Sequence, residues 1–106
     1  MKERRQHRRF EVEIPVTLRT QGRFIPAVAL DISSGGICLL ADFNEEIPEG
    51  PAEVVMDLNM ELKDVALQGQ VLRHHKSIGQ KVAIQFTNPS SAHFRSLERF
   101  LASRFN

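Results

Sequence analysis

The sequence predicts a mainly β domain, a six-stranded antiparallel β-barrel followed by a C-terminal α-helix. Three observations support this fold class. Apolar residues alternate with polar ones in five segments and form a short continuous run in a sixth, short turn signals separate several of these segments, and the C-terminal segment changes to helical spacing. The chain has 106 residues, of which 42% are hydrophobic and 25% charged. This balance is typical of one globular domain.

Residues 1–9 (MKERRQHRR) differ from the rest of the chain. Lys2 and four arginines face a single acidic residue, Glu3, and the segment has no apolar periodicity. The whole chain carries a net charge of only +1, so the remainder is slightly acidic. We therefore expect a flexible basic arm at 1–9 and a barrel domain at 10–106. A solvated tail and a nonspecific phosphate-binding arm are the alternatives.

The first two strands follow the arm. Alternating apolar residues predict the first strand, and Pro15 within it indicates an edge or a bulge. The turn at Gln21-Gly22 leads to a second strand, which is predicted to carry one apolar face and Asp31 on the opposite face. The apolar residues of the first strand are Phe10, Val12, Ile14, Val16 and Leu18, and those of the second are Phe24, Val28, Leu30 and Ile32.

Four more strands are predicted after the turn at residues 34–36. A short apolar strand covers 37–41, and the acidic segment 42–51 follows as a solvated loop. Alternation then predicts the last three strands, with a possible bulge at Gly69 in the middle one and a turn at 77–79. The alternating residues are Val54, Met56, Leu58 and Met60, then Val65, Leu67 and Val71, then Val82, Ile84 and Phe86.

A helix is predicted at 89–105. Asn88 is a favourable cap and Pro89 suits the first helical position. Phe94, Leu97, Leu101 and Phe105 recur at helical spacing. Their apolar stripe is expected to pack over an opening of the barrel or against one side of it.

Two short motifs indicate an anion site. Arg5 and Arg9 form an Arg-x-x-x-Arg pattern directly before the first strand, and Asp31, Ser33 and Gly36 form an Asp-x-Ser-x-x-Gly pattern at the end of the second. Arginine donates paired hydrogen bonds to phosphate oxygens or to the O6/N7 edge of guanine. A carboxylate accepts from the N1–H and N2–H₂ donors of guanine. Together the two motifs match a guanine nucleotide.

The properties of the second motif refine this hypothesis. Ser33 lies two residues after Asp31, so in a strand it projects to the same side and its hydroxyl can reach a phosphate or a base edge. Gly36 permits a positive φ and lets a ligand approach the backbone. The Arg-x-x-x-Arg spacing has a second solution, Arg4 and Arg8, but Arg9 adjoins the strand and its direction is thereby better defined.

The two motifs, their order and the C-terminal helix make the chain resemble the PilZ family, whose members bind the bacterial messenger cyclic di-GMP. The resemblance covers essentially the whole chain. It implies that Arg5 and Arg9 clamp guanine edges and phosphates, and that Asp31 and Ser33 hold a guanine. Gly36 would keep the turn open. The resemblance also suggests that Arg4 favours a stacked ligand pair and that Arg73 stacks on guanine, although a plain surface role for Arg73 is an equal alternative.

The implied function is a bacterial cyclic di-GMP receptor or adaptor rather than an enzyme. The arm would change conformation on binding and thereby signal to an unidentified downstream protein. Two alternatives remain: a PilZ-like interaction module that does not bind nucleotide, and a small RNA-binding barrel. No specific nucleic acid is expected as partner, and the chain is expected to be a monomer or a weak dimer.

Other kinds of chemistry find little support in the sequence. Ser33 is not in a nucleophile elbow, and the adjacent His74 and His75 would face opposite sides of a strand, so neither catalysis nor a metal site is expected. Cys38 is the single cysteine and is expected to be an inert thiol in a reducing compartment. No apolar run approaches the ~20 residues of a membrane span. We expect a cytoplasmic protein without cofactors.

Overall fold

The computed structural model describes residues 8–77 and 79–104, with side chains described at 8–72 and 80–104. It contains six strands and one helix, as predicted. The strands close into an antiparallel barrel in the order β1-β2-β3-β6-β5-β4, and β4 pairs with β1. The elements are β1 Phe10–Thr20, β2 Arg23–Ile32, β3 Gly36–Ala41, β4 Gly50–Met56, β5 Val65–Ser77, β6 Gly79–Phe86 and α1 Ala92–Ser103.

The core fills the barrel with aliphatic side chains from all six strands. Leu18, Leu39 and Val82 are completely buried. The helix contributes Phe94, Leu97, Phe100 and Leu101 to the same core. Phe94 meets Phe86 at the end of β6 edge to face, with ring centroids 6.2 Å apart. Helical spacing thus provides the apolar stripe that covers the barrel.

The predicted alternation of β1 is confirmed, because its even-numbered residues face inward and Pro15 faces outward. The irregularity expected near Pro15 lies just before it, as a register shift between Glu11 and Ile14 in the pairing with β2. β4 pairs with β1 only from Val16 onward. Pro15 therefore lies in the part of β1 that β4 does not reach.

The predicted inward face of β2 is wrong at three of its four residues. Ile25, Ala27 and Ala29 are buried, whereas Phe24 is 69% exposed. A register shift between Ala29 and Asp31 in the pairing with β3 then changes the side that successive residues face. Both faces of this strand are apolar in sequence, so period-2 reasoning could not tell them apart. The affected predictions are those for Phe24, Val28 and Leu30; Ile32 is buried as predicted.

Two details of the middle strands also differ from prediction. β4 ends at Met56, and Met60 lies in the following loop, where it is 85% exposed. The irregularity of β5 lies between Val71 and Arg73 and not at Gly69. Position 69 is a glycine for a different reason, because a Cβ there would lie 2.6 Å from the Gln85 carbonyl oxygen. This glycine therefore marks a close approach between strands rather than an inserted residue.

The helix begins later than the predicted Pro89. Ser91 is the N-cap, and its hydroxyl accepts a hydrogen bond from the Phe94 N–H at 3.1 Å. Asn88, the predicted cap, instead donates its side-chain amide to Gln68 Oε1. Ser91 caps the helix because its hydroxyl reaches the N–H of Phe94, which has no acceptor within the first turn. Phe105, in the predicted stripe, lies outside the described residues.

The acidic segment between β3 and β4 packs against the barrel. Gln80, which is completely buried, donates its Nε2 protons to the carbonyl oxygens of Asp42 and Glu45, each at 2.9 Å. Ile47 of the same loop is 4% exposed. The prediction of a fully solvated loop is therefore wrong at Ile47, which the core buries.

Candidate functional site

One residue of each sequence motif, Arg9 and Asp31, meets the other at the junction of β1 and β2. The register pairs Glu11 with Asp31, which places the start of β1 beside the end of β2. Arg9 Nη1 lies 2.7 Å from Asp31 Oδ1, as a hydrogen-bonded ion pair. The two side chains are 42% and 28% exposed. Strand pairing therefore brings a guanidinium and a carboxylate from distant positions in the chain to one accessible point.

Ser33 organises the turn that follows Asp31. Its hydroxyl oxygen accepts hydrogen bonds from the backbone N–H groups of Gly35 and Gly36, at 3.1 and 3.2 Å. The backbone N–H of Ser33 also donates to the Gly36 carbonyl at 2.9 Å. Ser33 is 4% exposed. The hydroxyl that was expected to face a ligand is thus held within the turn, as serine side chains commonly are in such loops.

The neighbouring strand β6 explains why position 36 is a glycine. The positive φ that glycine permits is not used here, because the described glycines with positive φ are Gly22 and Gly50. A Cβ at this position would lie 2.5 Å from the Ile84 carbonyl oxygen of β6. The glycine lets β6 pass close to the turn, and a side chain would force the two strands apart.

An open cavity of about 340 Å³ joins these features. It brings together Arg9, Asp31, Ser33 and Gly36, four of the predicted site residues. It also reaches residues that sequence reasoning did not assign to the site, because their places depend on pairing between distant strands. These additional lining residues are Gly35, Ile37, Cys38, Leu72, Ala83, Ile84 and Gln85.

Asp31 stands at one end of a row of paired residues that crosses four strands. It pairs with Cys38 of β3, Cys38 pairs with Ala83 of β6, and Ala83 pairs with Arg73 of β5. The register shift between Val71 and Arg73 leaves Leu72 as an extra residue beside this row. Leu72 is 48% exposed and lines the cavity. The bulge therefore presents an apolar side chain opposite Asp31.

Cys38 is a half-buried free thiol between the charged groups of the site. Burial raises the pKa of this thiol above its ordinary value, and the Asp31 carboxylate raises it further. Lys81 and Arg9 act in the opposite direction. The cavity thus holds a neutral sulfur at neutral pH, and two cations and one anion lie within electrostatic range of it.

The remaining predicted site residues are placed as follows. Arg4 and Arg5 lie outside the described residues. Arg73 has its backbone in β5, and its side chain is not described. Arg8 lines a separate crevice against the helix, together with Glu98 and Leu101. Of the two adjacent arginines, Arg9 is therefore the one beside Asp31.

The described part of the chain contains neither a metal cluster nor a membrane-spanning helix. No group of His, Cys, Asp and Glu residues there is arranged to hold a metal ion. No helix within residues 8–77 and 79–104 is long and apolar enough to cross a bilayer.

The fold and the two motifs define a ligand-binding β-barrel. The family model for the PilZ domain matches residues 3–103, so the chain belongs to the PilZ domain family. The resemblance inferred from the motifs is therefore confirmed. A comparison with curated protein sequences gave no match.

Solved structures share the fold at low sequence identity. The Bacillus subtilis inhibitor of motility (MotI/DgrA) superposes with a TM-score of 0.79 at 19% identity, over 98% of this chain and 52% of that one. The PilZ domain of Escherichia coli YcgR with c-di-GMP has a TM-score of 0.78 at 17% identity, over 95% and 91%. The K. pneumonia MrkH–c-di-GMP complex has a TM-score of 0.72 at 18% identity, over 98% and 53%. The chain thus spans about half the length of MotI/DgrA and MrkH.

Proposed function

We propose that this chain is a cytoplasmic receptor domain for cyclic di-GMP. One observation carries the proposal: Arg9 and Asp31, one from each motif, lie 2.7 Å apart in a single open cavity. Membership of the PilZ family supports the ligand class, as do the c-di-GMP complexes of YcgR and MrkH. The donors and acceptors required by a guanine and a phosphate are thereby concentrated at one place.

Recognition begins with an exchange at Asp31. Its carboxylate accepts hydrogen bonds only, so it is matched to the N1–H and N2–H₂ donors of guanine. Arg9 donates a hydrogen bond to one of these oxygens. When guanine takes this place, the Arg9 guanidinium becomes available for the phosphates or for the O6/N7 edge of the base. The ligand therefore substitutes one charge-assisted interaction for another.

The arm provides the rest of the positive charge and the signal. Arg4 and Arg5 would approach the ligand with Arg9 when segment 1–9 becomes ordered on the dianion. Fixing a backbone costs roughly 1–2 kcal/mol per residue. Hydrogen bonds to charged groups contribute roughly 1.5–3 kcal/mol each, so about five to eight are needed to order the arm. The ordered arm would present a new surface to a downstream protein.

The proposal needs neither a cofactor nor a catalytic group. Ser33, the one nucleophile suggested by the motif, has its hydroxyl engaged within the turn. Gly36 and Ser33 act by shaping the turn, and Arg73 remains a candidate for stacking on guanine. We expect a monomer or a weak dimer that binds the messenger and passes the signal to an unidentified protein.

Titration calorimetry with cyclic di-GMP tests the proposal. Arg9→Ala and Asp31→Ala should each weaken binding by about tenfold to over a hundredfold, because each removes a hydrogen-bonding charged group. Arg5→Ala should weaken binding to a similar extent if Arg5 is the other member of the pair. GMP and cyclic di-AMP should bind poorly or not at all.

A second surface ion pair serves as the control. Arg19 and Glu53 pair at 2.9 Å with exposures of 49% and 30%, close to those of Arg9 and Asp31, and they lie outside the cavity. Arg19→Ala and Glu53→Ala should leave the affinity unchanged. Wild-type protein that does not bind cyclic di-GMP would overturn the proposed function. Binding to any RNA with a steep loss in salt would instead favour a polyanion-binding barrel.

Asp31→Asn distinguishes the acceptor from the charge. Asparagine keeps a carbonyl oxygen that can accept from guanine, and it interacts less strongly with Arg9. We expect this variant to bind within a few-fold of wild type, in contrast to Asp31→Ala. An equal loss in both variants would mean that the negative charge itself is required.

A further inference from the structure

The outer surface of β3 and β6 carries unusually small side chains beside Asp31. The outward residues of β3 in this region are Gly36, Cys38 and Leu40. On β6, Ala83 pairs with Cys38 and is exposed. Cys38 and Ala83 thus leave a shallow depression between β2 and β5, and both residues line the cavity next to the ion pair.

Larger side chains border this depression. Leu40 and Lys81 form the paired row on one side, and Gln85 pairs with Gly36 on the other. At the β5 end, the bulged Leu72 projects into the cavity wall. The distance from β2 to β5 covers three strand spacings, or roughly 14 Å. Among the described side chains, the depression is therefore a trough with the Asp31 carboxylate at one end and the apolar side chain of Leu72 at the other.

We propose that Cys38 and Ala83 form the floor on which the flat face of a purine lies, with Leu72 as the far wall. The inference rests on the proposed function and adds two residues outside both motifs that determine whether the ligand fits. A base lying on this floor directs one edge toward Asp31. Its face meets a polarisable sulfur and a methyl group, which suit contact with an aromatic ring.

The trough also explains why small side chains are needed at these two positions. A planar ring gains dispersion energy only when it approaches the strands closely along its whole face. A longer side chain at Ala83 would fill the space above the floor and lift the ring away from Asp31. The fit of the ligand would thus depend on the absence of a bulky side chain at these positions and not on an added hydrogen bond.

Ala83→Leu is the first test. Ala83 is exposed on a strand, so leucine should not disturb the core or the fold. We expect cyclic di-GMP binding, measured by calorimetry, to weaken at least about tenfold, because the added atoms overfill the ligand's space. Ala83→Ser, which stays small, should bind within about threefold of wild type.

Ala66→Leu is the matched control. Ala66 of β5 pairs with Val55 of β4, is half-buried, and lies outside the residues that line the cavity. It receives the same substitution as Ala83 on the same barrel, so a general effect of adding leucine to a strand would appear there too. Its affinity for cyclic di-GMP should equal that of wild type.

Alkylation of Cys38 gives a second, independent readout. As the single cysteine of the chain, it can be followed by mass spectrometry after treatment with iodoacetamide. We expect saturating cyclic di-GMP to slow its alkylation at least about tenfold, because a base on the floor covers the sulfur. GMP at the same concentration should have little effect.

The outcomes separate the inference from the proposed function. If wild type does not bind cyclic di-GMP, the proposed function fails and the floor has no ligand. If wild type binds, normal affinity in Ala83→Leu or unprotected Cys38 overturns the floor alone. An equal loss in Ala83→Leu and Ala66→Leu also overturns it, because the effect would not be local. Loss in Ala83→Leu alone, together with protection of Cys38, supports it.

Discussion

At the scale of single residues, the role of each side chain in the site depends on the hydrogen bonds that it already makes within the chain. Asp31 is held by Arg9, and the Ser33 hydroxyl is held by two backbone N–H groups. The first contact is exposed and can be exchanged for a ligand, whereas the second is buried within a turn. Asp31 and Ser33 therefore have different roles, although the sequence motif lists them together. Direct contact between Ser33 and a ligand stays a prediction.

The Cys38 thiol reports on the charge beside it without any ligand. Burial raises its pKa first and the Asp31 carboxylate second, so thiolate should form only above the usual pH range of a cysteine. The rate of alkylation by iodoacetamide should accordingly rise with a midpoint above that of an unfolded cysteine peptide.

Asp31→Asn tests the origin of this shift. Removing the negative charge should move the midpoint of the pH–rate profile to lower pH, because a thiolate is then easier to form. Lys81→Ala should move it to higher pH, since the cation favours the thiolate. A profile that does not change in Asp31→Asn would contradict the proximity of the two groups.

At the scale of secondary-structure elements, alternation predicted five strands, a short apolar run predicted the sixth at 37–41, and helical spacing predicted the helix. What it could not predict were the irregularities. The shift near Leu30 and the extra Leu72 arise from pairing between strands, and a single sequence does not contain that pairing. Both irregularities lie next to the candidate site. The motif residues could thus be found from sequence, while the floor and wall beside them could not.

The N-terminus of the helix offers a stability test. Ser91→Ala should lower the free energy of unfolding by about 1 kcal/mol, because the Phe94 N–H loses its acceptor. Urea denaturation monitored by circular dichroism gives this value. Ser90→Ala, at the adjacent exposed serine, is the control and should have little effect. A larger loss in the free energy of unfolding for Asn88→Ala than for Ser91→Ala would indicate that Asn88 is the cap.

At the scale of the whole molecule, different segments cover different parts of the barrel. The helix packs its apolar stripe on the end of the barrel near Phe86. The loop after β3 is fastened by Gln80 and buries Ile47. The acidic composition of this loop predicted that it is solvated, but its apolar residue Ile47 is buried. Neither of these two segments contributes a residue to the cavity between Asp31 and Leu72.

Gln80 is expected to contribute strongly to the stability of the barrel. Gln80→Met keeps the length of the side chain but leaves the Asp42 and Glu45 carbonyls without their donor. We expect a loss of about 1–3 kcal/mol in the free energy of unfolding. Thermal or urea denaturation measures it, and Gln70→Met on the outer face of β5 is the control. Unchanged stability would show that the loop is held by other contacts.

The pairing of β3 with β6 has a consequence for how the chain folds. These strands are far apart in sequence, and their pairing, together with that of β1 with β4, closes the barrel. Pairings between distant segments form slowly, so partly folded chains would have Asp31 and Ala83 on separate surfaces. A messenger that requires both can bind only chains that have finished folding, and its binding energy is added to their stability. Under the proposed function, cyclic di-GMP would therefore also slow proteolysis of this chain.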